Sequence, residues 1–431
     1  MIIERFDARL DSTLTQPLAV AFSGGGDSLA ALIVALRWAK ACGRPVIALH
    51  VDHGLQPQSG AWAAFSAEVA TELGAEFRLL AWDGDKPTRG LAAAARRVRH
   101  ALIANAARDA GASVVVFGHT ADDLAEAVLM RAEGSSLGAL GVWRPSPVWP
   151  EGREVMLFRP LLRARRAALR AALQAEGYDW IEDPANDELA QPRARARAAL
   201  DLGRCAPPPA ADDPAAAALA HAAEIDPWGA IGFDREALRA EPPASALTVL
   251  AAAMLSVGGG ERPPRRRSVE ALRARLAAGE AFTATLAGAK LAARGRRVLV
   301  ARDAGELARG RLQPMALEPG EPSVWDGRFA LGRAEADATV SALKGHAARL
   351  SAAERRVLAS APAIARPALP VLVDSRARPT CPILAGRNGV RARSLAGGRF
   401  LAACGAISAE RTAPEAAAIR ARGEKACGAL S

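Results

Sequence analysis

The first half of the chain predicts an α/β domain, a doubly wound parallel sheet with helices on both faces. Three observations carry that expectation. Short runs that are apolar at nearly every position recur along it, helical segments separate them, and the first run ends in a cluster of glycines. A strand apolar throughout suits a sheet buried on both faces, and strands alternating with helices build parallel βαβ units. Their crossovers should be right-handed. Ligands then bind beyond the carboxyl ends of the strands, where the strand order reverses.

The elements follow in order. Leu18-Ala19-Val20-Ala21-Phe22 is the first strand, and residues 28–42 form the first helix pattern. Val46-Ile47-Ala48-Leu49-His50-Val51 is the second strand, followed by a helix over 59–73. Residues 77–80 read as a third strand and 91–110 as a third helix. Val114-Val115-Val116-Phe117 is the fourth strand, with a helix over 121–132. This Rossmann-like domain is expected to span 1–204. A proline-stiffened stretch from Cys205 to Pro214 reads as a linker. A mainly helical domain is expected over 215–310. It includes a core helix between Pro242 and Gly260, a basic cluster at Arg262, Arg265, Arg266 and Arg267, and strand-like pieces at 290–292 and 297–300. Residues 311–431, punctuated by proline and glycine, predict a smaller C-terminal domain of open class.

A chain of 431 residues, 50% hydrophobic, exceeds one ordinary core. Net charge is +10, from 56 Lys+Arg against 46 Asp+Glu. Arginine grips phosphate with a planar pair of donors, so a polyanionic partner fits, although an Ala- and Arg-rich coding bias gives the same composition. The five cysteines form no C-x-x-C, which argues against a zinc ribbon or iron–sulfur site and suits a reducing cytoplasm. The N-terminus carries acids where a secretory signal needs an apolar block, and the longest uncharged stretch is too broken to span a bilayer. A soluble cytoplasmic protein is expected.

The strongest chemical feature is Ser23-Gly24-Gly25-Gly26-Asp27-Ser28, directly between the first strand and first helix. Glycines let the backbone turn tightly and approach a ligand, and successive N–H groups at a helix start hold anions. Ser23 and Ser28 add hydroxyl donors. Asp27 would repel phosphate unless a cation lies between, so it reads as a magnesium ligand. The same residues also suit a plain glycine turn with Asp27 as a cap. No Walker loop or dinucleotide fingerprint is present.

A second cluster lies after the fourth strand, where Asp122, Asp123 and Glu126 head a helix. Spacings of three and four share a helix face, so these acids can hold magnesium or an ammonium group at the sheet edge. They also suit the positive end of a helix. His53 and His119 sit at strand ends, where structural histidines are common. Arg96 and Arg99 share one helix face, and Arg193, Arg195 and Arg197 alternate. Each set fits phosphate contacts or a solvated basic face. Few aromatic residues are available for base stacking, so shape and phosphate contacts are the expected way to hold a polyanionic partner.

The glycine loop resembles the S-G-G-x-D-S loop of the N-type ATP pyrophosphatases, the PP-loop superfamily. His50-Val51-Asp52-His53-Gly54-Leu55 and the run from Gly118-His119 through Asp122-Asp123 to Glu126 are similar to blocks of the tRNA(Ile)-lysidine synthetases within it. Gly90 to Arg99, Arg159-Pro160-Leu161-Leu162, Trp180 to Asn186, and Arg193 with Arg197 follow that family's further blocks in order. Four positions depart from it: Ala92, Leu124, Ala127 and Ala194 each replace a hydrogen-bonding residue.

The resemblance implies the following. ATP binds at Ser23, Gly24, Gly25, Gly26, Asp27, Ser28, His53, Gly118 and His119, with Mg2+ on Asp27. Asp27, Asp122, Asp123 and Glu126 serve catalysis. Arg96, Arg99, Arg193, Arg197, Arg265 and Arg266 contact tRNA or phosphate. The wobble cytidine of a tRNA(Ile) with a CAU anticodon is adenylated at C2, and free L-lysine then displaces AMP to give lysidine. A homodimer is compatible with the sequence. A tRNA thiolase on the same loop and an inactive tRNA-binding relative are the alternatives; the first would need cysteines that the motifs here lack.

Overall fold

The computed structural model describes residues 2–133, 140–182, 209–373, 379–384 and 390–412. Arg193, Arg195, Arg197, Ala194 and the end of the Trp180 block lie outside them. The chain divides into two compact units, Met1–Asp212 with Ser408–Arg411 and Asp213–Ile407 with Thr412–Ser431.

The first unit holds a six-stranded sheet in the order β3-β2-β1-β4-β6-β5. Its strands are β1 (Leu18–Ala21), β2 (Val46–Asp52), β3 (Glu76–Ala81), β4 (Val114–Phe117), β5 (Trp143–Pro145) and β6 (Met156–Phe158). All pairs are parallel except β5 with β6 at the edge. The helices are α1 (Ile2–Asp7), α2 (Gly26–Cys42), α3 (Ser59–Glu72), α4 (Leu91–Asp109), α5 (Ala121–Ala132) and α6 (Arg166–Ala175). The α/β expectation holds.

Side chains alternate across this sheet. Ala19, Ile47, Leu49, Val115 and Phe117 pack under Ile103, Ala104 and Ala107 of α4. Leu18, Val20, Val114 and Val116, on the opposite side of the pleat, are also fully buried. α2 packs along β1 and β4. The chain moves outward from β1 through β2 to β3, then returns to β4 beside β1. That reversal places the loop after β1 next to the loop after β4. It is the switch point at which such sheets bind ligands.

Ser408–Arg411 belongs to this first unit because Glu410 enters its interior. The Glu410 carboxylate accepts two bonds of 2.7 Å from the Arg44 guanidinium, one of 3.1 Å from Asp11 N–H and one of 3.2 Å from Ser113 Oγ. Both charged side chains are essentially inaccessible to water. Removing one partner of such a pair strands the other charge and costs about 3–5 kcal/mol. Glu410→Ala should lower the first unit's unfolding free energy by that amount in urea titration, and Arg44→Met/Glu410→Leu together should restore most of it. An unchanged unfolding midpoint in Glu410→Ala would contradict this role.

The second unit begins with a five-stranded antiparallel sheet, β7-β8-β11-β10-β9, built from β7 (Glu224–Ile225), β8 (Ile231–Asp234), β9 (Phe282–Leu286), β10 (Ala289–Arg294) and β11 (Arg297–Arg302). Helix Pro243–Gly258 buries Val249, Leu250, Ala253, Met254 and Val257 in this unit. The span 215–310 is thus mixed rather than mainly helical: this sheet accompanies its helices, with β10 alternating inward and outward residues and β11 burying its last three. Residues 315–394 contribute two three-stranded antiparallel sheets, β12-β15-β16 and β13-β14-β17. Their strands are β12 (Met315–Leu317), β13 (Ser323–Trp325), β14 (Phe329–Leu331), β15 (Ala338–Ala342), β16 (Pro370–Val373) and β17 (Ala392–Ser394). They share a core that includes Trp325, Phe329, Val340 and Val371. Among the described residues no helix is long and apolar enough to cross a membrane.

Candidate active site

Beyond β1 the chain turns through Ser23, Gly24 and Gly25 into α2. The Ser28 hydroxyl donates to Gly25 O at 2.8 Å, accepts from Ser23 N–H at 3.2 Å and lies 3.1 Å from Ser23 Oγ, so it closes the turn from within. Gly24 adopts φ +80°, a conformation that favours glycine. A Cβ there would run into Ile181 Cδ1 and lie 2.6 Å from Ser66 Oγ. At Gly26 it would meet the Trp180 ring at 3.3 Å. Two of the three glycines therefore make room for the chain's own side chains, in addition to the tight turn and ligand approach that the sequence suggested. Ile181 N–H also donates to Gly24 O at 2.9 Å, tying this flank to the loop.

Gly118 joins the two loops at the switch point. A Cβ on it would clash with Asp27 O, 2.7 Å from the Asp27 carbonyl carbon and 2.9 Å from Ser28 Cα. Only glycine lets the end of β4 pass so near the start of α2.

α5 then delivers the acids. Thr120 and Asp123 form a capping box, and one Asp123 oxygen accepts Thr120 N–H at 2.7 Å and Thr120 Oγ1 at 2.9 Å. Glu126, one turn on, is almost wholly buried. Between these acids and the glycine loop lies Arg166, the first residue of α6. Its guanidinium donates to Asp27 Oδ2 at 2.8 Å, Glu126 Oε1 at 3.1 Å and Asp123 Oδ1 at 3.5 Å. One side chain thus links the phosphate-type loop to the acids after β4. Burial opposes the charge on Arg166, but Asp123, Asp27 and Glu126 outweigh it and raise its pKa. For Asp27 burial wins: its pKa is raised although Arg166 pulls it down.

Asp122 is placed differently. It accepts Arg165 Nε at 3.2 Å, Arg165 Nη2 at 3.0 Å and the Arg166 backbone N–H at 2.8 Å. Burial works against its charge, yet these donors hold its pKa below the usual value. The four carboxylates named here meet the guanidiniums of Arg165 and Arg166 directly, and Arg170 also acts electrostatically on Asp27 and Arg159 on Asp123.

The histidines and remaining arginines line the same sheet edge. His119 stacks on Phe117 at 5.6 Å, and its Nδ1 accepts from Arg159 Nε at 3.2 Å. Arg159 is buried, with its pKa lowered to about 10 by burial and then by Arg96. His53 packs edge-on to Trp82, and burial followed by the Arg99 charge lowers its pKa. Arg96 and Arg99 also act on His100, a buried neutral ring with its pKa lowered to about 2, first by desolvation. Arg96, Arg99, His53, His119, Gly118 and the loop therefore share one end of the sheet. Arg265 and Arg266 lie exposed in the second unit, where Arg266 pairs with Glu270.

Sequence reasoning missed Arg165, Arg166 and Trp180 as parts of this site. A signal was available for the arginines. Two cations at a helix N-terminus oppose the helix dipole and call for nearby acids.

Magnesium fits in one way. Among the described residues no group of three His, Cys, Asp or Glu side chains could hold a metal. Asp27 Oδ1, however, is buried without a hydrogen-bond partner. Magnesium commonly takes one or two carboxylates and completes its shell with phosphate and water oxygens. Asp27 is thus its candidate protein ligand.

The PP-loop domain profile matches residues 2–201. A tRNA(Ile)-lysidine synthase of Caulobacter vibrioides is 48% identical over 416 residues, 94% of this chain and 97% of that one. One of Hyphomonas neptunium is 38% identical over 71% of this chain and 87% of its own length. One of Brucella anthropi is 36% identical over 72% of each chain.

Proposed function

The chain belongs to the tRNA(Ile)-lysidine synthase family, and from that premise we propose that it joins free L-lysine to C2 of the wobble cytidine in a CAU-anticodon tRNA(Ile). It is an ATP-dependent ligase of the PP-loop class. The observation that carries the residue assignment is the Arg166 bridge, which unites Asp27 of the glycine loop with Asp123 and Glu126 after β4.

In this reading the β and γ phosphates lie on the N–H groups of residues 24–27 at the start of α2, where backbone dipoles favour an anion. Magnesium on Asp27 supplies positive charge to the phosphates. The cytidine C2 oxygen attacks the α-phosphorus, the bond between α-phosphorus and bridging oxygen breaks, and pyrophosphate leaves. Arg96 and Arg99 help neutralise RNA or leaving-group phosphates. Preorganised charge of this kind is usually the largest catalytic contribution. The lysine ε-amine then attacks C2 and AMP departs with the former C2 oxygen. Asp123 and Glu126 orient the ammonium, and one of them accepts the proton that the amine must lose. Their burial keeps competing water away. We place the exposed Arg265 and Arg266 on the tRNA phosphates, the chain in the cytoplasm, and a homodimer among its assemblies.

The test is nucleoside analysis of tRNA(Ile) transcript incubated with enzyme, ATP and labelled lysine. Labelled lysidine is expected, with one AMP and one pyrophosphate per lysine and little labelling of a transcript altered in the anticodon. Recovery of thiolated cytidine or no modified nucleoside would contradict the assignment.

A further inference from the structure

We propose that Asp122 and Arg166 form a positioning pair: Asp122 fixes the start of α6 so that Arg166 can hold Asp27, Asp123 and Glu126 in one working arrangement. Asp122 then acts through Arg166 rather than on the substrate, a role distinct from that of the neighbouring acids. This rests on the functional reading above.

The geometry separates the two roles. Asp122 Oδ2 takes the Arg166 backbone N–H at 2.8 Å, while its other contacts are with the exposed Arg165 side chain. That bond anchors the backbone from which the Arg166 side chain extends. A second link docks the same segments, since Ala121 N–H donates to Ala164 O at 2.9 Å. The Arg166 side chain is only 15% exposed and reaches carboxylates on two helices, α2 and α5. An arginine has a planar, rigid donor fork, so moving its backbone moves all three acids' partner together. The long sequence separations, 139 residues to Asp27 and 40 to Glu126, mean that no local helix contact substitutes for it. Arg166 also supplies a protein cation in direct contact with Asp27, the acid expected to face phosphate.

Outer residues that orient a working site typically change activity about 10–100-fold when removed. Misplacing the groups themselves by an ångström costs about 100-fold. Steady-state lysine incorporation should therefore be measured for wild type, Asp122→Ala, Arg166→Gln and the double variant. Arg166→Gln should lower kcat about 100-fold with a much smaller change in the KM for ATP. Arg166→Lys should recover part of that loss by restoring a cation. Asp122→Ala should lower kcat about 10-fold, and Asp122→Asn less, since an amide oxygen still accepts the Arg166 N–H. The decisive result is non-additivity: Asp122→Ala should cost little further in the Arg166→Gln background. Losses that multiply would overturn the proposal and return Asp122 to an independent role. Equal activity of the Lys and Gln variants would also overturn it, as would losses tracking a lower melting temperature in both Asp122 variants. A wild type that makes no lysidine would sink the functional reading instead; the same cycle would then be read on ATP binding, where additivity again overturns the pairing.

Discussion

Asp27→Ala is expected to abolish lysine incorporation, with a fall of about 10²–10³-fold or more, while tRNA binding stays near wild type. Asp27 stands between two systems. Its Oδ2 accepts Arg166 and its buried Oδ1 has no hydrogen-bond partner. Losing the carboxylate removes the candidate magnesium ligand and cuts the loop from the acid cluster. The fold should survive because Arg166 keeps Glu126 and Asp123 as partners. Asp27→Asn separates charge from shape: it keeps the size and an oxygen acceptor but should be nearly as inactive. Rapid quench measurement of tRNA adenylation checks this directly. Normal adenylation in Asp27→Ala would remove the loop from the reaction.

The second large effect is expected at Gly118→Ala. The added methyl meets the backbone of Asp27 and Ser28, not the flexible end of a side chain. Either β4 or the start of α2 must therefore shift. Overpacking of this kind costs about 1–3 kcal/mol of stability. The shift separates the glycine loop from the acids, so activity should fall about 100-fold beyond any loss of folded protein. Gly60→Ala is the control: nothing lies within 4 Å of its added methyl, so activity should be unchanged. Matching melting temperatures and kcat values for both variants would refute the close approach.

The N-terminal sheet was legible because its principal strands are continuous apolar runs and its helices are long. β1, β2, β4, α4 and α5 fall within a residue of their expected bounds. β5 and β6 have three residues each, too few to display a period. Four of the six strands in the two small sheets of the second unit are equally short. The glycine loop and the acids were visible as local patterns. Their connection was not, since Arg166 lies far along the chain from Asp27 and contact across a fold leaves no fixed spacing. Asp122, Asp123 and Glu126 looked equivalent in sequence. The structure distinguishes them by partner: Asp122 faces Arg165 and the start of α6, Asp123 caps its own helix, and Glu126 is sealed against Arg166.

We place the loop after β1 and the acids after β4 in one centre, where ATP is attacked at its α-phosphorus. Exchange of radiolabelled pyrophosphate into ATP, measured with tRNA(Ile) present and lysine absent, reads that step on its own. Exchange that depends on tRNA is expected, because adenylation is reversible before the amine arrives, and it should be lost in Asp27→Ala. Release of ADP and phosphate in place of AMP and pyrophosphate would contradict it.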